Sequence, residues 1–174
     1  MSHPTHPATV HFPLTFTVLT GFLDALYLAS TTPATAPLVS TAFTTLSIAI
    51  PPALLPTLSY YTTILTLLTA LPAVLTGAIE LQPVIARDGL SSKKAQTGVL
   101  HALINDIAVF GAAWNWWVRR GREGFVPGTG NVIVSAGLAV PATLGAAYLG
   151  GHLVYVYGMG VGRGSGKGKG KKAQ

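Results

Sequence analysis

Tyr60–Leu81 reads YYTTILTLLTALPAVLTGAIEL, 22 residues in which Glu80 is the only charge. A transmembrane helix takes about 20 mostly apolar residues, because lipid offers no partner to an unpaired backbone N–H or C=O. Three more stretches meet that condition: about Val10 to Leu28, about Thr97 to Val118, and about Val132 to Tyr155. The rest of the 174-residue chain agrees. It is 49% hydrophobic and only 9% charged, against about 25% charged in soluble domains. These features predict an all-α integral membrane four-helix bundle, with residues 10–157 as the membrane domain and residues 1–9 as a short N-terminal segment.

The stretch from Leu38 to Leu58 is also apolar and uncharged, but it carries Pro37, Pro51, Pro52 and Pro56 close by or within it. Each proline removes a backbone donor and clashes with the preceding turn. An interfacial or re-entrant segment between helices 1 and 2 is therefore expected, with a fifth span as the minority reading. A cleaved signal peptide is disfavoured: no Lys or Arg precedes the first apolar run, and Asp24 interrupts it.

Four spans put both termini on one side. Eight of the 11 basic residues fall there: Arg87, Lys93, Lys94, Arg163, Lys167, Lys169, Lys171 and Lys172. Arg119, Arg120 and Arg122 fall on the other. Positive-inside counting assigns both termini to the cytoplasm or its equivalent. Trp114, Trp116, Trp117 and Phe125 sit at the far end of span three, where an aromatic belt belongs. Residues 158–174 form a Gly/Lys tail expected to be disordered, with anionic lipid as its expected contact besides the bilayer itself. The high pI resides in this tail, and no basic face interleaved with aromatics points to nucleic acid.

Two rows suggest close packing. Ala142, Ala146 and Gly150 form a small-residue row, and Thr69, Ala73, Thr76 and Glu80 give span two a small, polar stripe. Pro72 and Pro141 are expected to bend their helices.

Ionisable groups inside a span are costly and mark functional sites by default. His11, Glu80, His101 and His152 each lie about one turn inside the same end of the four spans, so all four share a leaflet. Asn105 follows His101 on one helical face, and Thr15 follows His11. Three imidazoles and a carboxylate suit a metal site; two imidazoles on facing helices suit a b-type haem. Proton relay, a quinone site and simple structural packing are open alternatives. Asp106 is near mid-membrane and is expected to have an Asn or Thr partner; Asp24 lies nearer the far surface. His3 and His6 lie outside the spans; surface chelation is one reading, but two histidines in a floppy segment are expected to have no role. The chain has no cysteine, which removes disulfides, thiolate metal sites and iron–sulfur ligation. No nucleophile elbow, P-loop, dinucleotide fingerprint or HExxH is present, so nothing in the sequence points to an enzyme.

The start, His6-Pro7-Ala8-Thr9-Val10-His11-Phe12-Pro13, and the end, Gly150-Gly151-His152-Leu153-Val154-Tyr155-Val156-Tyr157-Gly158-Met159-Gly160-Val161, are specific strings. With His101, they resemble the membrane family catalogued as domain of unknown function 2231, from about Pro4 to Val161. The resemblance implies four spans and carries no biochemical activity. It also implies that Glu often stands where this chain has His152, which favours His11 and His101 as the cofactor-binding pair. The functions expected are thus a haem- or metal-binding redox accessory protein, a small transporter or proton relay using Glu80 and Asp106, or a purely structural membrane subunit. Oligomeric state has no signature in the sequence.

Overall fold

A computed structural model describes residues 5–159. Among them, four helices are long and apolar enough to cross a membrane: His6–Thr31, Pro52–Asp88, Lys93–Arg119 and Thr129–Tyr155. The first comprises α1 (His6–Thr9) and α2 (His11–Thr31). Val10 between them keeps helical angles. Pro7 stands in its first turn, where a missing N–H costs nothing. Next comes α3 (Ala36–Thr45), then the long α4 (Leu55–Asp88) and α5 (Lys93–Arg119). The last span is α6 (Thr129–Gly137), one π-helical turn (Leu138–Ala142) and α7 (Thr143–Tyr155).

The spans pack as a ring: α2 on α4, α4 on α5, α5 on α7, and α6 with the π turn back on α2. Spans one and three therefore face each other across the core. The outside is apolar. Leu68, Leu71, Leu75 and Ile79, on one face of α4, are each more than half exposed, which suits lipid and not water.

Local chemistry explains the boundaries. Gly89, at φ 72°, ends α4 in a conformation that only glycine adopts freely. Ser92 starts α5 by accepting from the Ala95 N–H at 3.2 Å. Pro141 withholds a donor inside the last span, and the helix widens there into the π turn, with the Thr143 hydroxyl donating to Leu138 O at 2.9 Å. Pro72 and Pro83, by contrast, stand inside an unbroken α4.

The Leu38–Leu58 stretch forms no span of its own, and its last residues, from Pro52, belong to the second span. The ten residues of α3 reach about 15 Å, half a hydrocarbon core. The chain then runs extended to a short 3-10 turn at Pro52–Leu54. α3 packs on α2 and leaves Leu38, Leu46, Ile48 and Ile50 exposed. This is the expected interfacial segment. The Gly/Lys tail lies outside the described residues from position 160 onward.

Helix approach is closest at Gly21. A Cβ there would collide with Ala139 and come within 2.6 Å of Ser135 O. A bare backbone is what lets span one meet the π turn of span four.

Candidate functional site

Spans one and three carry matched polar residues. His6 and Asp24 are 18 residues apart, and so are His101 and Arg119. Eighteen residues make five turns of 3.6, so each pair shares one helix face. Both faces point into the core, and the two spans meet side chain to side chain at both ends.

At the end away from the termini, Arg119 and Asp24 are both fully buried. Arg119 Nη1 donates to Asp24 Oδ1 and Oδ2, each at 3.2 Å, and to Ser59 Oγ at 3.1 Å. Nη2 donates to Pro56 O and Nε to Phe125 O, both at 2.9 Å. The Ser59 hydroxyl donates to Asp24 Oδ1. One guanidinium thus ties spans one and three, the start of α4 and the loop after α5. A buried ion pair survives only when such additional bonds satisfy it. Phe125 folds inward and stacks on Tyr60 at 4.0 Å, instead of joining the aromatic belt. Trp114 and Trp117 are exposed at this level, as a belt requires, and Arg120 lies over the Trp117 ring at 3.2 Å. Beside the ion pair, Asn115 and Asn131 bond reciprocally, Asn131 Nδ2 donating to Asn115 Oδ1 at 3.1 Å and Asn115 Nδ2 to Asn131 O at 3.2 Å.

At the end of the termini, the inward imidazoles belong to His6 and His101. Their ring centroids lie 6.0 Å apart at 87°. His6 Nδ1 is 2.9 Å from Ala73 O and 3.3 Å from Thr76 Oγ1. His101 Nδ1 is 3.0 Å from Ala146 O. A carbonyl only accepts, so both rings carry a proton on Nδ1. Each ring also lies against a glycine one turn beyond its carbonyl partner. A Cβ on Gly77 would meet His6 Cε1 at 2.9 Å, and one on Gly150 would meet His101 Cε1 at 3.2 Å. Gly150 belongs to the small-residue row of span four, and Ala73 and Thr76 to that of span two, whereas Gly77 lies beside that row. Asn105 Nδ2 donates to His101 O at 2.7 Å and lies 3.3 Å from His101 Nε2.

Glu80 holds the first helical turn. Its Oε1 accepts from Thr5 N at 3.1 Å and His6 N at 3.0 Å. Thr9 and Thr76 share a hydroxyl bond of 2.9 Å. The opposite terminus is tied in at the same end, Lys94 Nζ donating to Tyr157 O at 3.2 Å.

The four residues expected at one site are not brought together. His11 is exposed on the outside of span one, five residues after His6 and so on another face. His152 packs edge-on against Tyr157 at 5.1 Å and makes no contact with the His6–His101 pair. Of the four, His101 and Glu80 converge, with His6 in the place assigned to His11. Among the described residues, no three His, Asp or Glu side chains gather as a metal group. Asp106 is half-buried in mid-span, and its carboxylate bonds to no described residue, Asn105 being engaged with His101.

The family model described as "Predicted membrane protein (DUF2231)" matches residues 2–163. The chain belongs to this family. The match runs through all four spans, from the His6 turn past Gly150, so membership covers both polar ends of the bundle. Family membership makes it a multi-pass membrane protein and assigns no activity. Comparison with curated proteins and with solved structures finds no match.

Proposed function

We propose that this is a haem-binding redox accessory protein of the membrane, in which His6 and His101, in place of His11 and His101, would hold the group. One observation carries the reading: both rings donate Nδ1–H to a backbone carbonyl, the outer-shell bond that metal-ligating histidines almost always make. Nε2 is left as the ligand atom on each. The two rings lie next to each other, centroids 6.0 Å apart. Gly77 and Gly150 keep side chains away from both rings, and the weak Asn105 contact at 3.3 Å is what a metal would displace.

A divalent metal fits less well than haem. A closed metal site takes about four ligands, and two imidazoles with no third ligand among the described residues leave it incomplete. A porphyrin brings four nitrogens of its own. Bound there, the group would supply one-electron exchange; His6 and His101 would hold it, each ring oriented by a backbone carbonyl.

Orientation belongs to the same proposal. Because Arg119 is consumed inside the bundle, the far side keeps only Arg120 and Arg122 as surface bases, which sharpens the charge asymmetry in favour of cytoplasmic termini. The tail lysines then face the anionic leaflet.

The test is the absorbance spectrum of protein purified from cells supplied with a haem precursor. A Soret band whose visible bands sharpen on reduction is expected, lost in His6→Ala and in His101→Ala and retained in His11→Ala. A colourless protein, or colour surviving both inward substitutions, overturns the proposal.

A further inference from the structure

From Ala25 to Ile79 the chain carries no charged residue. The end of α2, all of α3 and the return to α4 fall within that stretch. Between α3, the end of α2 and Pro52 lies an open groove of about 570 Å³, a size in the range of small-molecule sites, about 300–1,000 Å³. Its apolar wall is Pro52 with Ala36, Val39 and Phe43, which follow at spacings of three and four along one face of α3. Its hydroxyls are spent on their own helices. Ser30 donates to Tyr27 O at 2.8 Å, Ser40 to Pro37 O at 3.1 Å and Thr44 to Ser40 O at 2.9 Å. What the groove presents is therefore a hydrocarbon surface. Residues 45–51 join Thr44 to Pro52, both of which line the groove, and so border it. Within that segment the N–H groups of Ala49 and Ile50 bond to no described residue.

We propose that this groove is a binding site for one phospholipid, with an acyl chain lying along α3 and a glycerol ester carbonyl accepting from the Ala49 or Ile50 N–H. Three features select that occupant. The groove is continuous with surface that already faces the bilayer: Leu38, Leu46, Ile48 and Ile50 around it are exposed and apolar. The bordering N–H groups need an acceptor that lipid tails do not supply, and a phospholipid carries one at the head of each chain. A soluble protein or a polar solute, by contrast, would meet no charge and no free side-chain donor. A bound chain backs the inner face of α3, a helix that packs on α2. The site lies at the opposite end of span one from His6 and stands whether or not the bundle holds haem.

The experiment is photolabelling of the full chain in detergent micelles, titrated with a phosphatidylcholine that carries a diazirine in one acyl chain and mapped by peptide mass spectrometry. Labelling at Val39 and Phe43 is expected to saturate at one lipid per chain. Labelling at Leu71 and Leu75, on the lipid-facing side of α4, should keep rising as lipid enters the micelle. Val39→Trp fills the groove and should lose the saturable label while keeping that of α4. Groove labelling that rises without limit, as on α4, would mean bulk lipid contact and overturn the proposal in the unsubstituted protein, without need of the variant. So would absence of groove labelling, as when a second copy of the chain covers α3. A diazirine-bearing free fatty acid that saturates the same positions at the same concentration would show that the ester plays no part, and overturn it equally.

Discussion

Replacing Arg119 by Leu removes five bonds from the far end of the bundle in one step. Asp24 would stay fully buried with only Ser59 for company, and the carbonyls of Pro56 and Phe125 would lose their donor. Breaking a buried pair from one side costs about 3–5 kcal/mol, because the surviving charge has nowhere to go. At roughly 2–4 °C per kcal/mol for a chain of this size, the melting midpoint should fall by about 6–20 °C. Asp24→Asn should cost less, since the guanidinium keeps the two carbonyls and an amide oxygen. The decisive variant is the double one, Asp24→Leu with Arg119→Met, which should recover most of the loss, since apolar replacement of both partners is often near neutral. Thermal unfolding in detergent, followed by intrinsic fluorescence, reads all three, and Trp114, Trp116 and Trp117 stand next to the network as reporters. A double variant as damaged as the sum of the singles would refute the idea that the cost lies in an uncompensated charge. An Arg119→Leu midpoint within 2 °C of the parent would refute the buried pair itself.

Gly21→Ala pushes a methyl into Ser135 O and Ala139 and should destabilise by about 1–3 kcal/mol, read in the same melt; an unchanged midpoint would mean spans one and four do not meet there. Glu80→Ala uncaps the first turn and should cost about 1 kcal/mol, appearing as faster amide exchange at Thr5 and His6, whereas Glu80→Gln keeps an accepting oxygen and should exchange like the parent. His11→Ala should stay within about 0.5 kcal/mol of the parent, as exposed positions do. His6→Ala should fall outside that range, having lost its Ala73 and Thr76 partners.

The spans themselves were legible because hydrophobic length is a property of composition, and lipid enforces it. The common leaflet of the ionisable residues followed from counting, and His101 and Glu80 were found that way. His6 was missed because the apolar run was measured from Val10. Yet Pro7 is a helix-start signal, and starting the helix there brings His6 into the bundle. The Arg119–Asp24 pair was missed for a different reason. Arg119 follows three tryptophans and reads as a loop base, and nothing local says that a guanidinium turns back into the core. The signal was non-local: the equal spacing of 18 residues in the two odd spans, ending in opposite charges. Asp106 shows the limit of position alone: it stands in mid-span with none of the Asn or Thr partners expected for it among the described residues.

The two diagonal contacts are unequal, and that inequality defines an axis of motion. The far one is a charged clamp of five bonds from one guanidinium; the near one is a pair of imidazole rings, each anchored to a different neighbour and not to the other. His101 and Arg119 are about 27 Å apart along α5. With the far end fixed, a tilt of about 5° between spans one and three displaces the near end by about 2 Å over that lever. Any tilt between spans one and three would therefore be resisted by the ion-pair network at the far end more than by the rings at the near end.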